Sequence, residues 1–329
     1  MSKASGWLWA ICLAASVVAG AAPPLLDPPT GSAAVLEDRY PARMVQFPDG
    51  VTGLPDLVYS QLPGFRPNTL DLYLPAEHPD QGAKARPVII YVHGGGWTSG
   101  HTRQSGAFEN WPGVLAAIAA RGYVVASIEY RLGSEASSPA QIQDVKASIQ
   151  WLRAHADAYH IDRSRIGIWG GSAGGHLAAL AGTSCGAREL EPESGSAESD
   201  CVQAVVAWYG TFDAQPLATI PQIMALMGCG RSPCEDERIR MASPVRYLDP
   251  ADPPFLLIHG AKDSVAPLSQ TLDFAAALKR NKVRGDLLVI PDVDHSFVGK
   301  TRAITHAASI QALNRTIAFF DETIGAQRR

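Results

Sequence analysis

Trp169-Gly170-Gly171-Ser172-Ala173-Gly174-Gly175 follows a short apolar run at residues 166–169 and opens a small-residue stretch at 174–182. The run reads as a buried strand and the stretch as a helix. A serine leaving a strand directly into a helix must sit on a sharp turn with its hydroxyl projecting. Gly170 and Gly174 omit the Cβ atoms that would collide in such a turn. A helix starting beside Ser172 also aims unpaired N–H groups and its positive dipole end at that hydroxyl. Gly-x-Ser-x-Gly by itself is a common pentapeptide, and the strand before it and helix after it make it specific. Ser172 is therefore the expected nucleophile, and the Ala173 N–H an expected donor to developing negative charge.

Upstream, His93-Gly94-Gly95-Gly96-Trp97 follows the β-branched run 88–92. Three glycines let backbone approach a substrate oxygen closely, so Gly95 and Gly96 join Ala173 as candidate oxyanion donors. His93 is read as tying the loop down. A serine hydroxyl needs a base, and the base needs an orienting carboxylate, in the chain order Ser, Asp, His. Asp263 follows the strand-like run 255–259 and His295 follows the run 286–290, so both fall on loops past strands. The interval between them accommodates one helix and one strand, the crossover such loops require. Asp292 and Asp294 stand too close in sequence to reach the far ring nitrogen of His295. His176 falls on the buried side of the helix after Ser172, and His306 on the closing helix, so neither competes as the base. This chemistry calls for no metal or organic cofactor.

Outward from these motifs, strands are expected at 57–61, 69–74, 88–92, 123–127, 166–169, 202–208, 255–259 and 286–290. Helices are expected at 114–120, 139–155, 174–182, 268–280 and 304–323. Strands interleaved with helices imply a mostly parallel central sheet with helices on both faces, preceded by a hairpin turning at Pro63-Gly64. Residues 211–247 are too long for a plain connection and read as a small cap insertion over the site. One catalytic domain is expected over 23–329.

The 329 residues carry a net charge of −4, 46% hydrophobic and 18% charged residues, with no basic cluster. That balance excludes disorder and gives no footprint for nucleic acid. Lys3, an apolar run from Trp7 to Val18 and small residues up to Ala22 read as a signal peptide, which predicts secretion or periplasmic export with no integral membrane segment afterwards. Four cysteines remain, and in an oxidising compartment they can pair. Local loop closure favours Cys185 with Cys201 and Cys229 with Cys234. Reading Cys229 and Cys234 as half a zinc site is weak, because no second ligand pair lies near them.

The HGGGW and GGSAGG segments, with Glu129-Tyr130-Arg131-Leu132, Asp144 and Trp151 between them, resemble the carboxylesterases related to hormone-sensitive lipase. Asn68-Thr69-Leu70-Asp71-Leu72-Tyr73-Leu74-Pro75 and Val205-Val206-Ala207-Trp208-Tyr209-Gly210 look more like the secreted acetyl-xylan and feruloyl esterase branch. The resemblance spans about 57–320 and implies an α/β-hydrolase fold, the triad Ser172, Asp263 and His295, and cleavage of a small-molecule or polysaccharide-linked ester. An amide-directed hydrolase would use the same triad, and a non-catalytic binding protein on this fold is a further alternative. The chain departs from that branch in its four mature cysteines and in Gly133-Ser134-Glu135-Ala136.

Overall fold

The computed structural model describes residues 43–76, 84–106, 108–192, 195–229 and 233–325, so the signal-peptide reading of 1–22 lies outside the described residues. In chain order the elements are β1 (Val45–Gln46), β2 (Thr52–Ser60), β3 (Asn68–Leu74), β4 (Arg86–Val92), α1 (Trp111–Ala119), β5 (Val124–Ile128), α2 (Ala140–Ala154), β6 (Ile161–Gly171) and α3 (Ala173–Thr183). They continue with β7 (Ala204–Trp208), α4 (Pro221–Met227), α5 (Asp236–Met241), β8 (Phe255–Gly260), α6 (Leu268–Arg280), β9 (Gly285–Ile290) and α7 (Arg302–Thr323). The sheet order is β1-β2-β3-β5-β4-β6-β7-β8-β9. From β5 to β9 every neighbour is parallel, while β1, β2 and β3 add an antiparallel edge.

Side chains alternate across each strand, so one sheet builds two cores. Val88, Ile90 and Val92 pack with Ile142 and Val145 of α2, Leu177 of α3 and Phe274 of α6. Ile89 and Tyr91 face the opposite way, toward Trp111 and Leu115 of α1 and Phe319 and Phe320 of α7. Trp169 anchors that second core, with edge contacts to Tyr91, Trp111 and Trp208. A strand buried on both faces must be apolar at every position, which is why β4 reads as an unbroken run.

Beyond β1, which the sequence reading did not anticipate, two strands start well ahead of expectation. β2 begins at Thr52, upstream of the expected start, because a bulge between Leu54 and Leu57 absorbs Pro55 and Asp56. Asp56 takes φ 58°, and its N–H donates to Asp71 Oδ1 at 3.0 Å. Strand-averse residues at such a bulge conceal the strand from a periodicity reading. β6 likewise starts early, at Ile161, through the polar stretch Asp162-Arg163-Ser164-Arg165.

The chain runs from β4 outward to β5, then back past β4 to β6, so the crossover direction reverses at β4. In open α/β sheets the crevice at the carboxyl ends beside such a reversal is where ligands bind. The glycine loop leaves β4 there, and Ser172 leaves β6 there. Within 211–247, α4 and α5 bury Ile223, Leu226, Met227 and Ile239 in the same core as α2 and α3.

Both expected cysteine pairs are formed, Cys185 with Cys201 and Cys229 with Cys234. The first staples a loop against α2 over a fully buried lysine. Lys146 Nζ meets Asp200 Oδ2 at 2.5 Å and donates to Ser184 O at 2.6 Å. Asp200 also accepts from the Gly186 N–H, and it sits next to a bridged cysteine. The staple therefore keeps the counter-ion of a buried ammonium in place. Cys185→Ala/Cys201→Ala lowers unfolding stability by about 3 kcal/mol from loop entropy, and by more if Lys146 loses its partner. Urea titration of the oxidised protein against the double variant measures this, and equal midpoints would refute it.

Candidate active site

Ser172 has φ 58° and ψ −122°, a conformation that a residue with a Cβ holds only when its surroundings over-determine it. Its N–H donates to Trp208 O at 2.9 Å and its carbonyl accepts from the His176 N–H at 2.9 Å. Backbone meets backbone on the other side. A Cβ at Gly174 would collide with the carbonyl oxygens of Val92 and His93, and one at Gly94 would stand 2.8 Å from Gly171 O. These glycines seat the end of β4 on the turn, which puts the loop of residues 93–97 beside Ser172.

That loop turns through three successive positive φ angles, 109° at Gly95, 60° at Gly96 and 60° at Trp97. No acceptor among the described residues meets the N–H of Gly95, Gly96 or Ala173. They are free to donate to a substrate oxygen. His93 is buried, stacks on Tyr130 with ring centroids 4.3 Å apart, and bonds Gly94 O through Nδ1 at 2.7 Å. Burial pushes its imidazole down to about 4, so it is a neutral brace for the loop.

Past β9, His295 Nε2 lies 3.0 Å from Ser172 Oγ, and His295 Nδ1 lies 2.8 Å from Asp263 Oδ2. A carboxylate only accepts, so Nδ1 carries the proton, and Nε2 is left to accept from the serine hydroxyl. The structure thus brings Ser172, His295 and Asp263 into one series. The Tyr209 and His295 rings meet edge to face, with centroids 4.8 Å apart.

Asp263 engages more partners than the sequence suggests. Its side chain is sealed from solvent. Oδ1 accepts from the N–H groups of Val265 and Ala266 at 2.9 and 2.8 Å. Oδ2 receives His295 and also His259 Nε2, at 3.2 Å. Burial pushes the Asp263 carboxyl up, but the hydrogen bonds from His259 and His295 outweigh it and hold the group well below the usual carboxylate range. His259 escaped the sequence reading, although a signal exists. It lies near the end of the wholly buried strand β8, on the face of Phe255 and Leu257, so it must find polar partners inside. It does so with Asp263, Ala266 O and Thr271 Oγ1. Asp294, set aside in the sequence reading as too close to reach the imidazole's far nitrogen, bonds the backbone of His295 instead of the ring. Its carboxylate accepts from His295 N–H at 2.6 Å, Ser264 N–H at 2.7 Å and Ser264 Oγ at 2.9 Å. One acid thereby ties the loop after β8 to the loop after β9.

The remaining singled-out residues fall elsewhere. Arg131 and Asp144 form a buried ion pair at 2.9 Å, and His306 is exposed on α7. Beside Ser172 and His295 lies an open cleft of ≈ 910 Å³, whose wall includes Thr98, Ser99, Gln104, Glu109, Gln222 and Val265. Positive φ angles crowd this rim, at Trp97, Ser172, Tyr209, Ser296 and Phe297 besides the two glycines. Among the described residues no helix is long and apolar enough to cross a membrane.

The family model described as BD-FAE matches residues 70–278. Esterase LipC of Mycobacterium tuberculosis is 35% identical over 228 residues, covering 66% of this chain and 55% of LipC. The chain spans 55% to 58% of the length of LipC and the two curated relatives ranked after it. Among solved structures, a truncated form of a carbohydrate esterase from gut microbiota superposes with a TM-score of 0.70 at 28% identity, over 84% of this chain and 98% of that one. A propionate-bound esterase of Thermogutta terrifontis gives 0.67 at 25% identity, over 85% of this chain and 94% of that one.

Proposed function

The chain belongs to the BD-FAE family and has the α/β-hydrolase fold, and from that premise we propose that it is a secreted serine carboxylesterase acting on short-chain or aryl esters through an acyl-enzyme. The observation that carries this reading is the hydroxyl–imidazole–carboxylate series at 3.0 and 2.8 Å. Ser172 Oγ attacks the acyl carbon while His295 Nε2 takes its proton. Asp263 keeps the imidazole in the Nδ1–H tautomer and stabilises the imidazolium that forms. The N–H groups of Gly95, Gly96 and Ala173 receive the oxyanion. His295 returns the proton to the departing alcohol oxygen, and a water molecule then repeats the sequence on the acyl-serine to release the acid.

The polar side chains in the cleft wall suit an alcohol that carries hydroxyls better than a long alkyl chain. The likeness to a carbohydrate esterase and to a propionate-bound esterase supports a small acyl group on such an alcohol. Two disulfides support export, because they persist in oxidising compartments. In the same reading residues 1–22 are removed and 211–247 form the cap, with Gln222 reaching the cleft.

A fluorophosphonate probe labels Ser172, and a panel of acetyl, butyryl, octanoyl and feruloyl esters with a matched aryl amide ranks acetyl and feruloyl esters above octanoyl ester and amide. Failure of the native protein to label would remove the enzyme assignment. Faster turnover of the amide would move the chain to the amide-directed class.

A further inference from the structure

We propose that His176 is a positioning residue, which holds the oxyanion loop in shape through Trp97 and ties that loop to the 211–247 insertion. The inference rests on the reading of Ser172 chemistry above. Gly95 and Gly96 adopt positive φ freely, but Trp97 carries a bulky side chain at φ 60°, so something must hold it there. Two bonds do. Trp97 O accepts from the Gly133 N–H at 2.7 Å, and the indole N–H donates to His176 Nδ1 at 3.1 Å. The indole and imidazole rings also meet edge to face, with centroids 5.2 Å apart.

The other imidazole nitrogen points into the insertion, where Nε2 donates to Ala242 O at 2.6 Å. An indole N–H can only donate and a carbonyl can only accept, so the neutral Nε2–H tautomer is the one form that satisfies both neighbours. Full burial keeps the ring neutral, since it pushes the imidazole down to about 4. Through its backbone the same residue donates to Ser172 O. His176 therefore touches the nucleophile's turn, the loop of donor N–H groups and the insertion. Without the indole bond, Trp97 is left with the Gly133 bond, and its relaxation from the left-handed conformation shifts the preceding Gly96, whose N–H is one of the proposed oxyanion donors.

Two near-isosteres separate the two bonds. In His176→Asn the amide oxygen replaces Nδ1, keeping the acceptor for Trp97 and dropping the bond to Ala242. In His176→Gln the amide nitrogen replaces Nε2, keeping Ala242 and leaving the indole N–H unpaired. Expected on p-nitrophenyl acetate are a kcat loss of about 10- to 100-fold for His176→Gln with little change in KM, and near-native kcat for His176→Asn. Trp97→Phe, which removes the donor, reproduces the Gln loss, and combining it with His176→Gln adds nothing further, because both act on one bond. Active sites counted by the p-nitrophenol burst correct each rate for any unfolded fraction. Equal losses in the Asn and Gln variants, unchanged kcat in the Gln variant, or multiplying losses in the double variant would overturn the inference while leaving the esterase reading intact. An inactive, unlabelled wild-type protein would remove that reading and the inference with it.

Discussion

Ser172→Ala lowers kcat on p-nitrophenyl acetate by a factor on the order of 10⁵ to 10⁶ and leaves the melting temperature nearly unchanged. The size of the loss follows from what the hydroxyl does. In the proposed reaction it is the atom that forms the covalent bond, and without it His295 can at best activate water from a position arranged for a serine. The structure stays because the hydroxyl bears little of the fold. Among the described residues its side-chain hydrogen bond runs to His295 alone, while the turn is held by backbone bonds to Trp208 and His176. Alanine keeps the same Cβ in the same conformation. Residual turnover within about tenfold of wild type would mean that a different nucleophile does the work. A fall in melting temperature large enough to unfold the variant at assay temperature would show that the hydroxyl also supports the turn.

Asp263→Asn lowers kcat by about 10⁴-fold. In a simpler triad an amide could turn its oxygen toward the histidine and its NH₂ toward solvent or an acceptor. Here both carboxylate oxygens face donors, two backbone N–H groups at Oδ1 and two imidazole N–H groups at Oδ2. Whichever way the asparagine lies, its NH₂ meets N–H groups. If it meets the imidazoles, His295 is driven to the Nε2–H tautomer, which presents a proton to Ser172 instead of a lone pair. If it meets the backbone donors, the loop carrying residue 263 must shift. Fluorophosphonate labelling slows in proportion to kcat, because it depends on the same serine activation. Activity within tenfold of wild type would show that His295 is oriented by something other than Asp263.

How much of this was legible in the sequence varies with the kind of constraint involved. β4 and the second half of β6, from Ile166, could be read because a strand stretch covered on both faces must be apolar throughout, and the serine turn because only glycine fits where the elbow presses on Val92 and His93. The positions of serine, aspartate and histidine could be read because each falls just past a strand-like run, that of β6, β8 and β9 in turn. Both cysteine pairs were legible because each closes a short loop. The first half of β2 was hidden, since its bulge tolerates a proline and an aspartate that argue against a strand. The supporting bonds were hidden for another reason. Ser264 with Asp294, His176 with Ala242 and His259 with Asp263 depend on how loops from different strands come to rest, and no periodicity encodes that.

The cluster of left-handed backbone around the cleft bears on how this protein would respond to selection for heat resistance. Torsional tension is concentrated at the carboxyl end of the sheet, where Trp97, Ser172, Tyr209, Ser296 and Phe297 are all held away from their relaxed shapes. Substitutions that slacken this end would raise the melting point and blunt turnover together. Hardening without that penalty has to come from the opposite end of the strands, around Arg86, Ile161 and Gly285, where the chain enters the sheet at a distance from the chemistry.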